Sequence, residues 1–194
     1  MKNYTQDWNG EFIKNTQNLK DFNLCIEIGS FEGLTSNYIV DNLLSTDGKL
    51  ICIDPLTDNY LNDNLSEIDI IKNNGEFSYF NNQYDRFINN VDEHINTGKI
   101  ELVRELSSKS FKSLIEKYKG KVDFIYIDGD HRPEGVYIDS INSFELCKIE
   151  GFILFDDYLW EDTKDGIDKF LLEFQDKIEI IIKDYQVLIK KIKK

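Results

Sequence analysis

Phe124-Ile125-Tyr126-Ile127-Asp128 is a continuous apolar run, β-branched and aromatic, that stops on a carboxylate. A short run of this kind, without polar alternation, is the pattern of a strand buried on both faces. It recurs at Cys25-Ile26-Glu27, Ile51-Cys52-Ile53-Asp54 and Phe152-Ile153-Leu154-Phe155-Asp156. Such strands belong to parallel sheets covered by helices on each side, and ligands there bind beyond the carboxyl ends of the strands. The series therefore predicts a parallel sheet whose strand-ending acids line up along one functional edge.

Outward from these runs, strands alternate with helical patterns. Strand one spans Asn23 to Ile28 and leads through a Gly-containing turn into a helix from about Leu34 to Leu44; Asp47-Gly48 then turns the chain into strand two, Lys49 to Asp54. A helix from about Tyr79 to Ile95 precedes strand three, Ile100 to Arg104, and Ser107 or Ser108 caps a helix ending near Tyr118. Strand four, Val122 to Asp128, is followed by a helix from Pro133 to Cys147, and strand five, Gly151 to Asp156, by one from Thr163 to Phe174. Ile178 to Lys183 and Tyr185 to Ile192 lie too close together for anything but a hairpin, so an antiparallel pair closes the sheet. The expectation is a Rossmann-like three-layer α/β/α sandwich around a seven-stranded, mostly parallel sheet. It forms a single domain over 1–194, with a helical N-terminal segment at 1–20 and an Asn- and Asp-rich stretch at 55–78 that reads as a lid.

The composition narrows the partners. At 194 residues the chain is long enough for one sizeable core. Its 36 acidic against 23 basic residues leave a formal charge of −13, which argues against nucleic acid as a partner. The dense lysines at the end, Lys190, Lys191, Lys193 and Lys194, read as a solvated finish to the last strand. Cys25, Cys52 and Cys147 are odd in number and widely spaced, which suits small buried hydrophobes better than disulfides or a zinc site. No apolar stretch approaches the roughly 20 residues of a membrane span and no signal-peptide pattern opens the chain, so a cytoplasmic setting is expected. Homo-oligomer formation is left open.

Three constellations carry the chemistry. Glu27-Ile28-Gly29-Ser30-Phe31-Glu32-Gly33 runs from strand into turn into helix, where glycine lets a ligand approach the backbone and a helix N-terminus offers free N–H groups. Phe31 stands where the dinucleotide fingerprint needs its second glycine, so a pyrophosphate is disfavoured. Asp54, at the end of strand two, can accept hydrogen bonds from the hydroxyls of a ribose. Together these point to a nucleoside without a diphosphate, of which S-adenosylmethionine is one. The third constellation is Asp128-Gly129-Asp130-His131 after strand four with Asp156-Asp157 after strand five, a set of carboxylates able to converge on an oxygen-preferring cation such as Mg²⁺.

On these motifs the chain resembles the class I S-adenosylmethionine-dependent methyltransferases, and within them the metal-dependent O-methyltransferases of small molecules, both the catechol and caffeoyl-coenzyme-A type and the sugar enzymes of antibiotic pathways. The resemblance covers nearly all of the chain from Asn23 onward, closing hairpin included. It implies that Glu27, Gly29, Ser30, Phe31 and Thr35 surround the methionine portion of the methyl donor, that Asp54 takes the ribose, and that Ser107 and Ser108 lie near the adenine. It further implies that Asp128, Asp156 and Asp157 hold the metal, with Asp128 also beside the cofactor. Asp157 follows the sugar-enzyme pattern, where the catechol type has Asn. Asp130 matches the catalytic acid of the sugar enzymes and His131 the place of the catechol enzymes' lysine, with Asp130 narrowly preferred as base and His131 lining the site. Trp160, Tyr158 and Arg132 are placed to frame a small hydroxylated acceptor, a sugar or glycan hydroxyl being favoured. Three other readings compete: an Asp-x-Asp phosphatase, which places its first aspartate on the first strand; a sugar-nucleotide glycosyltransferase, which needs more basic partners than Arg132; and a non-catalytic nucleotide-binding module, which would lack the acid trio.

Overall fold

The computed structural model describes residues 2–56 and 82–194. In chain order these form α1 (Gly10–Thr16), β1 (Phe22–Ile28), α2 (Leu34–Tyr38) running on as a π-helical turn (Ile39–Leu43), β2 (Leu44–Ile53), α3 (Gln83–Asn96), β3 (Ile100–Val103), α4 (Ser107–Tyr118), β4 (Val122–Ile127), α5 (Pro133–Leu146), β5 (Cys147–Phe155), α6 (Glu161–Glu173), β6 (Ile178–Lys183) and β7 (Val187–Lys191). The seven strands lie in the order β3-β2-β1-β4-β5-β7-β6. Strands β1 to β5 run parallel, while β7 is antiparallel to both β5 and β6. This is the expected Rossmann-like architecture closed by a C-terminal hairpin. Apart from Pro55 and Leu56, the segment expected as a lid lies outside the described residues, as does Tyr79.

Side-chain alternation explains why the strand runs are apolar throughout. Ile26, Ile28, Ile51, Ile53, Ile125, Ile127, Ile153 and Phe155 face one helix layer, packing on Phe111 and Leu114 of α4, Phe144 of α5 and Ile167 and Phe170 of α6. Their neighbours Cys25, Leu50, Cys52, Phe124, Tyr126 and Leu154 face the other layer, with Phe12 of α1, Ile39, Leu43, and Phe87 and Val91 of α3. Each face thus has its own core, and neither tolerates polar alternation. All three cysteines are free and buried in these layers.

Several boundaries differ from the expected ones. Asp47-Gly48 does not end a loop but sits inside β2, where the pairing with β1 slips between Phe22 and Leu24. A Cβ at Gly48 would lie 2.5 Å from the Phe22 carbonyl, so the glycine serves an irregular pairing, not a free turn. In the same way β5 starts at Cys147, its register shifting between Val122 and Phe124 of β4. The helix after β1 is α-helical only to Tyr38 before the π-turn. Lys191 departs from the solvated reading: strand alternation turns it inward, and its buried Nζ donates to the carbonyls of Phe144 and Cys147 at 2.7 and 2.8 Å, capping the C-terminus of α5. Among the described residues, no helix is long and apolar enough to cross a membrane.

Candidate active site

The carboxyl ends of β1, β2, β4 and β5 meet along one edge, and the turn after β1 is its tightest part. Gly29 adopts a φ of 83°, and its N–H donates to the Ile53 carbonyl at 2.9 Å. A Cβ on Gly29 would run into the carbonyl of Asp128, so the turn after β1 and the acidic loop after β4 touch here. Gly33, at φ 78°, leaves room for Val91 of α3, where an added Cβ would lie 2.6 Å from Cγ1. Phe31 takes a positive φ of 46°, and its ring stacks on Trp8 at 6.1 Å.

Glu27 is fully buried at the end of β1, and burial is the main cause that pushes its carboxyl up to about 7. Its Oε2 accepts a hydrogen bond from Ser36 Oγ, while Oε1 has no hydrogen-bond partner among the described residues. An orphaned buried acceptor beside a glycine turn fits a ligand that brings its own donor, such as an ammonium group. Ser36, next to Thr35 on α2, is a partner of Glu27 that the sequence did not single out. Asp54 is committed to the same turn. Its Oδ2 accepts from the backbone N–H of Ser30 and Phe31 at 2.8 and 2.9 Å, and Oδ1 from that of Leu56 at 2.8 Å. Burial still raises its pKa against these bonds. Asp54 therefore shapes the turn in addition to standing at the edge where a ribose is expected.

Ser107 opens α4, and its Oγ donates to Asp139 Oδ1 at 2.7 Å, whereas Ser108 is exposed. Asp139, from α5, is a residue the sequence did not single out. Burial pushes its carboxyl up to about 7, and its Oδ2 is buried without a hydrogen-bond partner among the described residues.

The acids after β4 and β5 separate into two groups. Asp128, His131 and Asp157 come together, with ligand atoms all within 4.8 Å of one another. His131 Nε2 lies 3.6 Å from Asp128 Oδ1 and 3.3 Å from Asp157 Oδ2. The Asp128 carboxyl is pushed up to about 7, first by burial and then by the charges of Asp156 and Asp157, against the opposing effect of His131. Asp156 lies beside Asp128, against the same Tyr126 hydroxyl and along the same cavity. Its Oδ2 accepts from the Tyr126 hydroxyl, and its Oδ1 from Gln186 Nε2 at 3.0 Å and from the Asp157 N–H at 2.8 Å. Of the expected trio, Asp128 and Asp157 gather with His131, and Asp156 is joined to Asp128 through the Tyr126 hydroxyl. An Asp-His-Asp set suits a divalent cation that accepts both oxygen and nitrogen donors.

Asp130 is engaged by Arg132, whose Nε and backbone N–H each donate to its Oδ1 at 2.9 Å. Burial works against ionisation there, but these bonds and the guanidinium charge outweigh it and hold the carboxyl below its ordinary value. Of the residues expected to frame an acceptor, Tyr158 is buried and donates to Asp168 at 2.9 Å, which withdraws it from that role. Trp160 is 52% exposed, its ring 5.1 Å from that of His131.

A family model described as a methyltransferase domain matches residues 26–158. No curated protein matches the sequence. Among solved structures, the chain is similar at 13% identity and a TM-score of 0.66 to the O-methyltransferase TomG of Streptomyces achromogenes, which is involved in tomaymycin synthesis and was solved with S-adenosylmethionine; the match covers 95% of this chain and 79% of that one. An O-methyltransferase from Bacillus cereus in complex with S-adenosylhomocysteine matches with the same identity and TM-score over 96% of this chain and 82% of its own. A protein from Clostridium thermocellum described as an rRNA-methylase candidate matches at 13% identity over 99% of both chains, with a TM-score of 0.68.

Proposed function

Because the chain belongs to the class I S-adenosylmethionine-dependent methyltransferases, we propose that it transfers the methyl group to a hydroxyl of a small molecule, a sugar or glycan hydroxyl being favoured, with a divalent cation assisting deprotonation. The observation that carries this reading is the close approach of Gly29 to the Asp128 carbonyl, which brings the turn after β1 directly against the Asp128-His131-Asp157 cluster. A methyl donor on one side and an activated hydroxyl on the other would then be neighbours. Glu27, Gly29, Ser30, Phe31 and Thr35 would hold the methionine portion, with the orphaned Glu27 Oε1 receiving its ammonium group. Asp54 would accept from the ribose, and Ser107 and Ser108 would border the adenine.

Asp128 and Asp157 would hold a cation, which would polarise the acceptor hydroxyl and lower its pKa, with His131 beside them left uncoordinated to act as base. His131 is the better base of the two candidates. Asp130 already serves Arg132 and is held below its ordinary value, so it takes a proton poorly near neutral pH. His131 would accept the hydroxyl proton while the oxygen attacks the sulfonium methyl in line, the alignment supplying much of the rate. Trp160 offers exposed aromatic surface beside His131, which suits a ring that is apolar on one face and bears hydroxyls at its edge. The cation stays separable from the rest, since His131 between two carboxylates could act as base alone.

Calorimetric titration of S-adenosylmethionine and S-adenosylhomocysteine tests the family-level chemistry; no binding at millimolar concentration would overturn it. Methyl transfer to a panel of sugar and catechol acceptors, with and without excess chelator, separates the acceptor classes and the two deprotonation schemes. Full turnover in chelator would remove the cation. His131→Asn should abolish turnover with donor affinity intact, and Asp130→Asn should not.

A further inference from the structure

We propose that the turn between β6 and β7 is an arm of the acid cluster, in which Tyr185 and Gln186 are positioning residues that aim Asp157 and Asp156 at a divalent cation. The inference rests on the cation-assisted reading above. Since β7 runs antiparallel beside β5, the turn before it comes to the same edge of the sheet as the carboxyl end of β5, where Asp156 and Asp157 stand. The backbone is stitched there by the Tyr158 N–H donating to the Tyr185 carbonyl at 2.9 Å.

Each turn residue serves one acid. The Tyr185 hydroxyl donates to Asp157 Oδ1, which leaves Oδ2 toward His131. Gln186 is 1% exposed and donates through Nε2 to Asp156 Oδ1 at 3.0 Å, its own Oε1 receiving Asn15 Nδ2 at 2.9 Å from α1. Asp156 in turn receives the Tyr126 hydroxyl, which stands 3.3 Å from Asp128 Oδ2. A hydrogen-bonded chain thus runs Asn15, Gln186, Asp156, Tyr126, Asp128, and a separate bond reaches Asp157.

Every one of these donors is neutral. A lysine or arginine in the same places would cancel the charge of the acids, whereas hydroxyl and amide groups fix their orientation without adding a positive charge. An arrangement that orients carboxylates without neutralising them prepares them for an incoming cation. Partners of this kind behind metal-binding side chains typically matter by about 10–100-fold in affinity.

The test is Mn²⁺ titration of the protein saturated with S-adenosylhomocysteine, with free Mn²⁺ followed by electron paramagnetic resonance, on wild type, Tyr185→Phe, Gln186→Met and the control Tyr137→Phe. Tyr137 offers its hydroxyl to Glu173 between α5 and α6, away from the cluster. Tyr185→Phe and Gln186→Met should weaken Mn²⁺ by about 10–100-fold while S-adenosylhomocysteine affinity and the melting temperature stay near wild type, and the control should bind Mn²⁺ normally. Wild-type Mn²⁺ affinity in both turn variants would overturn the assignment, as would a loss of Mn²⁺ matched by an equal loss of S-adenosylhomocysteine affinity. Failure of the wild type itself to bind Mn²⁺ would instead remove the cation from the proposed function, and this inference with it.

Discussion

Gly29 and Asp139 show how much of the site depends on single atoms. At Gly29 a side chain would strike the Asp128 carbonyl, and the φ of 83° is one that L residues rarely hold. Gly29→Ala should therefore cost about 1–3 kcal/mol of stability and weaken S-adenosylhomocysteine at least tenfold, read by thermal unfolding and calorimetry; unchanged affinity would dissociate the turn from donor binding. Asp139 makes a pH prediction. Its folded carboxyl is raised from 3.8 to about 7, so the folded state holds a proton that the unfolded chain has released between those values. Stability from this group is full below about pH 4, falls as pH rises through the window and is gone above 7. Asp139→Asn keeps a partner for Ser107 without the charge. It should flatten the decline in urea midpoint between pH 5 and 8 and gain on the order of 2 kcal/mol at pH 8. An identical decline in both proteins would sink the assignment.

Among the elements, α1 has a role that its seven residues alone would not support, because a helix that short is unstable in isolation. It is held by Phe12, wholly buried, whose ring meets those of Tyr38, Phe124 and Tyr126 at 5.8, 6.1 and 4.6 Å. Phe12→Ala should cost about 3–5 kcal/mol in a denaturant titration, and by loosening α1 should free Asn15 from Gln186; a cost under about 1 kcal/mol would show that α1 docks by other means. Element identity was legible where periodicity was strong. The runs ending at Glu27, Asp54, Asp128 and Asp156 are strand ends in the structure, and the helix after β3 ends at Tyr118 as expected, although Leu106, not Ser107 or Ser108, stands at its N-cap. Slipped pairings at Gly48 and Gly151 were not legible, since a glycine in a bulge and a glycine in a turn look alike until the partner strand is in place.

For the whole molecule, the charge of −13 makes compaction work against self-repulsion. Raising KCl from 50 to 500 mM should lift the melting temperature by on the order of a few degrees through screening, and a fall would mean that attractive surface pairs dominate. The same charge disfavours a polyanionic acceptor such as RNA. The chain should pass through a heparin column at 150 mM salt, and retention there would reopen the nucleic-acid reading.

By itself the sequence determined the sheet, its burial on both faces, the closing hairpin and the edge beyond which a ligand is expected. These follow from local hydrophobic pattern and from the rule that ligands bind beyond parallel strand ends. It also held the acids that fill that edge. Only the tertiary structure decided how they are held: Asp128 and Asp157 gather with His131, Asp130 is taken by Arg132, and Asp156 is held by Gln186 and shares the Tyr126 hydroxyl with Asp128. Neighbouring acids such as Asp156 and Asp157 take different partners, and how each is oriented depends on hydrogen-bond donors as much as 30 residues away. Those donors come within reach of one another only when the hairpin folds back beside β5.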